Sequence, residues 1–409
     1  MKAGRATVAA LVALAALGTL SGAFWLKDRC TRHAWDGFQY RSSCYNDLFA
    51  LYGQRGLDRE PFPYIHGDGH LDDQPGDLEY PVLTGVYVGL VASAVSDGVS
   101  FFRWSALGLG LAGLVGFLAL VAMASDPRRL AYYGLAPPLF LYAFHNWDLL
   151  AVAPFALAMV AFHRRRDGWA GLWIGLGAAA KLYPAVLLPA LALARWRNDD
   201  EVPIRLFGAT VGSFLAVNLP IFLINPAGWF APWRFHSQRF PNFETSWYFL
   251  YQHLGGSAPE FDRYARLTSV ASGTLFLVAA GVLLWAEARR ERVRPFVLAM
   301  GFVLLFLLTG KVYSPQYALW LLPLFVVVGM RWFHYVAFAI TDVAVWVGIS
   351  SYFLARQYGA GDETFRLLLT EIAVYVRYAV LVWLLWYSRR ANELVAERDR
   401  APARLESPV

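Results

Sequence analysis

The sequence predicts an all-α, polytopic membrane protein, and three observations predict it. Of 409 residues, 57% are hydrophobic and 16% are charged, against about 25% charged in an ordinary soluble domain. Apolar runs long enough to cross a hydrocarbon core of roughly 30 Å recur along the whole chain. Arginines gather in short turns between those runs, and Trp and Tyr cluster near the run ends, as positive-inside bias and interfacial anchoring produce. The formal net charge of +6 is therefore a topology signal. No nucleic-acid partner is expected; the lipid bilayer is.

The first apolar run, residues 6–26, follows Lys2 and Arg5. A cleaved signal peptide is the competing reading, because "LSGA" resembles a small-residue cleavage site. About twenty apolar residues is long for a signal core, so an uncleaved first span with a cytoplasmic N-terminus is expected. A first extracytoplasmic loop, 27–100, follows. It holds both cysteines of the chain, Cys30 and Cys44. In an oxidising compartment they would form a disulfide closing about 15 residues, worth roughly 3 kcal/mol in the chain-entropy model. The alternative is two unrelated thiols.

Segment 80–98 is apolar enough to span. Counted as a span, it would place "SDPRRL" outside and throw every later basic turn out of phase. A juxtamembrane helix on the outer face restores the alternation. Spans are then expected near 101–124, 130–144 and 147–162. Segment 169–196 is basic at both ends with Lys181 and Pro184 at its centre, so it should be two short helices meeting near "AKLYP". A charged residue at a helix break in the membrane is a functional-site hypothesis. Further spans are expected at 205–224, 266–285, 295–308, 317–329, 333–353 and 367–387, with a second large extracytoplasmic loop at 225–265. Twelve spans put both termini inside. Residues 1–390 form one transmembrane domain and 391–409 a charged cytoplasmic tail.

Sorted by expected side, the polar residues are asymmetric. The outer face collects Asp47, Glu79, the "HNWD" run at 145–148, Lys181, the 234–247 segment and Lys311. Cytoplasmic turns hold mainly arginine. A carboxylate such as Asp47 can take a proton from a hydroxyl. Cations such as Lys181, Arg239 and Lys311 can hold a phosphate, most strongly where water is excluded. A base beside a phosphate clamp at the outer membrane surface suggests transfer from a lipid-linked phosphate donor. Each residue has a plainer reading. Asp47 precedes an amphipathic helix and reads equally as its N-cap. Glu79 reads as a surface acid, Lys181 and Lys311 as snorkelling side chains, and His236, Arg239 and Glu244 as a loop ion network. His145 and Asp148 read as caps of the fourth span. No metal-ligand spacing and no nucleotide-binding glycine loop stands out, so neither metal nor cofactor is expected.

Taken together, "YNDLFALYGQRGL", "LEYPVLTG", "NWDLLAVAPFALAM", "GLGAAAKLYPAVLLPALALARWR" and "KVYSPQYALWLLPL" resemble glycosyltransferase family 87, which uses polyprenyl-phosphate mannose or arabinose donors in actinobacteria. The resemblance runs from about Tyr45 to Pro323. It implies a GT-C-type bundle with extracytoplasmic juxtamembrane helices, located in the plasma membrane with its active site on the outer face. It implies an inverting transfer to a glycolipid or polysaccharide acceptor. The catalytic base matches Asp47, with Asp36 as rival. Lys181, Arg239, Lys311 and His236 are expected around the leaving phosphate, Glu79 among the substrate-binding residues, and Tyr313, Gln316 and Tyr317 around sugar or lipid. A lipid-linked-sugar transporter is the alternative class. A non-catalytic assembly scaffold is a third.

Overall fold

The computed structural model describes residues 2–69, 76–256 and 260–396. Among them the regular structure is helical apart from two isolated bridges. In chain order the helices are α1 (Lys2–Asp28), α2 (Phe38–Arg41), α3 (Asp47–Gln54), α4 (Val82–Ser93), α5 (Gly98–Val121), α6 (Ala131–Gly134), α7 (Pro137–Tyr142), α8 (Leu149–His163) and α9 (Asp167–Ala180). They continue with α10 (Leu187–Asp199), α11 (Ile204–Ile224), α12 (Pro226–Gln238), α13 (Ser246–His253), α14 (Phe261–Ala288), α15 (Pro295–Thr309), α16 (Leu322–Val327), α17 (Trp332–Tyr358) and α18 (Glu363–Ser388).

Long and short helices divide the work. Helices α1, α5, α11, α14, α17 and α18 are long and apolar enough to cross a membrane. Several expose large apolar side chains such as Leu14, Leu118, Val270 and Ile372, as lipid-facing helices do. Helices α8, α9, α10 and α15 have 15, 14, 13 and 15 residues, about 20 Å each at 1.5 Å per residue. Their apolar residues form much of the core: Leu149, Phe155, Ile174, Leu191, Met300 and Leu304 are buried. Short inner helices between longer outer ones leave a hollow at one end, and the cavities described below open there. Close backbone approach helps hold the inner layer to the outer. A Cβ on Gly171 or Gly175 of α9 would lie 2.3 Å from the Leu206 or Thr210 carbonyl of α11, a small-residue helix contact.

The two ends differ in chemistry. At one end lie the arginine-rich turns. Arg165 and Arg195 pair with Asp199, Arg294 with Glu287 at 2.9 Å, and Arg129 donates to four carbonyls at the end of α16, from Phe325, Val326, Val328 and Met330. At the other end lie the expected outer loops. Consecutive passes alternate between the two ends, which is the pattern the basic turns predict.

Segment 80–98 yields α4, whose 12 residues cover about 18 Å, too short to span. Two expected spans are not single helices. Segment 130–144 is broken before Pro137, and 317–329 is a 3-10 turn over Pro315–Leu321 followed by six-residue α16. Proline lacks the N–H that a continuous α-helix needs. The 225–265 loop contains two helices, α12 capped by Asn225 and α13 capped by Thr245. At the chain's far end the first residues of the expected tail are packed. Leu394 N–H donates to Val327 O, Ala396 N–H to Met123 O, and Gly329 N–H to Asn392 O. Glu393 accepts the Phe296 N–H at 2.6 Å, at the start of α15. Residues 397–409 lie outside the described part.

Candidate active site

Asp47 is held from four directions. Cys30 and Cys44 are joined by a disulfide with Cα atoms 5.5 Å apart, which ties the end of α1 to the chain just before Asp47. Lys27 donates to the carbonyls of Ser43 at 3.0 Å and Tyr45 at 2.8 Å. The Asp47 N–H donates to His145 O at 2.7 Å. Leu48, Leu51 and Tyr52 bury one face of α3, with Tyr52 packed on Phe101 of α5. Asp47 is not the N-cap of this helix. Asn46 is: its side chain accepts the Phe49 N–H at 2.8 Å. The Asp47 carboxylate is thereby left for other partners.

Those partners are Asn146 and Tyr45. Asn146 Nδ2 donates to Asp47 Oδ2 at 2.7 Å, and the same amide reaches the Tyr80 hydroxyl at 2.5 Å. Trp147 N–H donates to Asn146 Oδ1, which fixes the amide with its nitrogen toward Asp47. Burial raises the Asp47 pKa; hydrogen bonds from Asn146 and Tyr45 and the charges of Lys181 and Arg239 oppose the rise. A carboxylate with a raised pKa is a stronger base when ionised. The rival, Asp36, is exposed, and among the described residues its carboxylate takes a local bond from Phe38 N–H at 3.3 Å; it lines neither cavity described next.

Two cavities meet at Asp47. One, about 1080 Å³, is lined by Lys181, Arg239, Glu79 and His236 at its head. It continues along Ser272, Phe276, Ala280 and Leu284 of α14 and Phe302 and Phe306 of α15. The twelve residue steps of α14 from Ser272 to Leu284 make it about 18 Å long. Leu182 and Leu277 line it and are 52% and 69% exposed, so it opens sideways toward lipid. The other cavity, about 840 Å³, is ringed by Tyr40, Phe240, Phe243, Tyr248 and Trp346, with Glu244. Tyr45, Asp47, Arg239 and Gln316 line both. Gln316 Oε1 is buried without a hydrogen-bond partner among the described residues.

The cations differ in availability. Lys181 stands at the break after α9, with extended backbone. Its Nζ pairs with Asp148 at 2.6 Å and lies 4.9 Å from the Tyr317 ring centroid. Among the described residues Asp148 is its one hydrogen-bond partner. Asp148 does not cap α8 through its side chain; besides Lys181 it accepts Trp320 Nε1–H at 2.6 Å. Arg239, just past α12, has a ring contact with Phe235 and, among the described residues, no hydrogen bond or ion pair from its guanidinium. Lys311 lines the groove, but its ammonium is directed at four protein oxygens, from Ser237, Arg239, Ala265 and Ser269. Burial and the Arg239 charge lower its pKa to about 8. It binds the loop after α12 to α14, so the expectation that it clamps a phosphate is corrected: its donors are occupied.

Glu79 pairs with Arg55 at 2.9 Å, and its carbonyl contacts His236 Nε2 at 3.1 Å. The bulk of surrounding protein and then the Arg239 charge lower the His236 pKa. Tyr317 stacks on Trp320 with centroids 3.9 Å apart. Tyr313 is a second correction. It lines neither cavity and is fully buried under Arg377, 3.6 Å from its ring centroid. The sequence reading missed Tyr45, Tyr80, Asn146 and Trp320. The "HNWD" run beside an outer helix end was the available signal for Asn146.

The model of glycosyltransferase family 87 matches residues 80–310, more than half of the chain; the match begins after the loop that carries Asp47. Two solved structures of ArnT from Cupriavidus metallidurans are similar at 16% identity. The one bound to undecaprenyl phosphate has a TM-score of 0.45, covering 93% of this chain and 78% of that one. The apo one has a TM-score of 0.40, covering 83% and 72%. No curated protein matches the chain. With the family match over residues 80–310, the chain belongs to glycosyltransferase family 87 and is a multi-pass membrane glycosyltransferase.

Proposed function

We propose that this enzyme transfers a sugar from a polyprenyl-phosphate donor to a glycolipid or polysaccharide acceptor, with inversion, using Asp47 as general base. Mannose is the favoured sugar and arabinofuranose the next. One observation carries the reading: a carboxylate sits where a lipid-open apolar groove, headed by two cations, meets a polar aromatic chamber. The groove suits a polyprenyl tail. Lys181 and Arg239 suit its phosphate, with charge-assisted hydrogen bonds strengthened by exclusion of water.

The chemistry follows from those positions. An acceptor hydroxyl in the chamber gives its proton to an Asp47 carboxylate oxygen as its oxygen attacks the anomeric carbon. The bond from that carbon to the phosphate oxygen breaks with its electron pair on the phosphate. The leaving polyprenyl phosphate is already anionic, so it needs no general acid. The arginine-rich end supports a cytoplasmic orientation for itself under the positive-inside rule, and with it an extracytoplasmic position for Asp47. Twelve crossings with residues 1–390 as a single transmembrane domain fit the alternation of ends.

The test is transfer by purified protein in lipid, with polyprenyl-phosphate mannose and polyprenyl-phosphate arabinose offered separately and a broad cell-envelope acceptor extract. Release of polyprenyl phosphate with one donor, lost in Asp47→Asn, is the expected result. Transfer that survives Asp47→Asn would remove Asp47 as the base. Turnover with neither donor would overturn the donor class.

A further inference from the structure

We infer that the adjoining ends of α14 and α18 form a binding site for the headgroup phosphate of an anionic phospholipid, at the arginine-rich end of the molecule. The inference is independent of the function proposed above. It starts from an excess of positive charge. Arg289, Arg290, Arg292 and Arg294 follow α14, and Arg389 and Arg390 follow α18. The two stretches meet: Arg290 and Arg294 donate to Arg389 O at 3.0 and 3.1 Å. Against these six cations the described carboxylates are those of Glu287, Glu291 and Glu393. Two of the three are already engaged. Glu287 is 1% exposed and takes Arg290 at 3.0 Å and Arg294 at 2.9 Å. Glu393 takes the backbone N–H groups of Phe296 and Val297.

Arg389 is the cation that Glu287 does not satisfy. Its Nη2 stands 4.0 Å from that carboxylate, and its Nε is buried without a hydrogen-bond partner among the described residues. Burial lowers its pKa, Glu287 opposes the fall, and the Arg290 and Arg294 charges add to it. The carbonyls at a helix C-terminus favour cations in general, and they account for Arg290 and Arg294, which donate to them. They do not account for Arg289, Arg292 and Arg390. Those three are exposed, and among the described residues their guanidiniums meet no protein oxygen. Phosphate oxygens suit them, because a guanidinium binds phosphate through paired N–H groups.

What lies beside the charge selects a lipid over a soluble anion. Both helices carry the same exposed stripe. On α14 it runs through Val278, Val282 and Trp285 to Arg289, and on α18 through Val382 and Trp386 to Arg390. Steps of three and four residues keep each stripe on one helix face. Each arginine covers the tryptophan four residues before it, at 3.9 Å for Arg289 and 3.5 Å for Arg390 from the ring centroid. Tryptophan belongs at headgroup level and the valines at acyl-chain level. The stripes lie on neighbouring helices: a Cβ on Gly301 of α15 would be 2.5 Å from Leu283 of α14 and 3.7 Å from Leu385 of α18. A phospholipid standing there meets valine with its chains and arginine with its phosphate. A headgroup with net negative charge complements the excess, and a zwitterionic one brings its own cation into it.

Native mass spectrometry of the full-length protein in a neutral detergent tests this by reading the Kd of the first bound lipid. Phosphatidylglycerol and phosphatidylcholine are titrated separately. Wild type binds phosphatidylglycerol more tightly by at least about tenfold. Arg289→Gln with Arg390→Gln weakens phosphatidylglycerol by roughly tenfold to thirtyfold, at about fivefold for each arginine near a lipid surface. Phosphatidylcholine binding stays within about twofold in that variant, having little charge to lose. Arg164→Gln with Arg166→Gln removes the same charge from the turn after α8, too far to act through solvent, and leaves phosphatidylglycerol within about twofold of wild type. Phosphatidylglycerol also raises the melting temperature of wild type and not that of the Arg289→Gln, Arg390→Gln protein. Equal affinity of wild type for the two lipids would overturn the inference. So would retained phosphatidylglycerol affinity in a folded Arg289→Gln, Arg390→Gln protein, or an equal loss in both double variants, which marks diffuse attraction. Displacement of the bound lipid by millimolar glycerol phosphate, which has the phosphate without the chains, would also overturn it.

Discussion

Replacing Asn146 by alanine should move the acid limb of the pH–rate profile toward higher pH. Asn146 donates to Asp47 Oδ2 at 2.7 Å, and Trp147 N–H holds the amide in that orientation. The bond stabilises the ionised carboxylate against the burial that raises its pKa. A hydrogen bond to a charged group is worth about 1.5–3 kcal/mol, and one pKa unit corresponds to about 1.4 kcal/mol. Losing it raises the Asp47 pKa by about one to two units, toward the lower figure where water fills the space left by the amide. The base works ionised, so activity at low pH falls first and the alkaline plateau survives. Initial rates of polyprenyl phosphate release, measured from about pH 4 to pH 8 at saturating donor, read the shift. Asn146→Asp should move the limb further, because a second carboxylate at that distance disfavours ionisation of the first. An acid limb that stays in place in Asn146→Ala, or moves to lower pH, refutes the reasoning. Thermal unfolding of the same samples separates a pKa effect from a folding defect.

Three further outcomes are expected. Lys181→Met leaves the Asp148 carboxylate buried without its cation, which costs about 3–5 kcal/mol; adding Asp148→Asn should restore most of the melting temperature but not donor affinity. Cys30→Ser with Cys44→Ser should lower stability by roughly 3 kcal/mol and reduce kcat more than KM, since Cys44 stands three residues before Asp47; equal melting curves for variant and wild type would argue against it. Glu393→Ala removes the Glu393 carboxylate from the Phe296 and Val297 N–H groups, with a loss of about 1 kcal/mol, as for a helix cap. The melting temperature should drop while activity per folded molecule is retained.

How much of this was legible in the sequence depended on distance along the chain. Hydropathy and arginine placement are local properties. They marked the membrane class, the two chemically distinct ends and the juxtamembrane position of α4. The break at Lys181 was legible for the same reason, because a lysine beside a proline inside an apolar run is visible in a short window. Asn146 was not, because its role is a contact with a residue 99 positions earlier, and no periodicity encodes such a pairing. Lys311 shows the same limit in reverse. Its charge is plain in the sequence, but the four oxygens that occupy it come from two stretches distant along the chain, 237–239 and 265–269. Tyr313 and Tyr317 are four residues apart, and only Tyr317 lines a cavity; the 3-10 turn beginning at Pro315 separates their surroundings. Asp47 read equally as a cap and as a base until Asn46 was seen to do the capping.

The strap formed by residues 391–396 has a consequence in time. It follows all of the described helices, yet it supplies hydrogen-bond partners to Met123 beyond α5, to Phe296 at the start of α15 and to Val327 at the end of α16. During synthesis those groups wait until α18 has been inserted and the strap has left the ribosome. The arginine-rich end is thus the last part of the molecule to close. Nascent chains halted just after α18 should therefore carry α1 to α18 around an unfinished end, and protease should distinguish them from chains extended by ten residues.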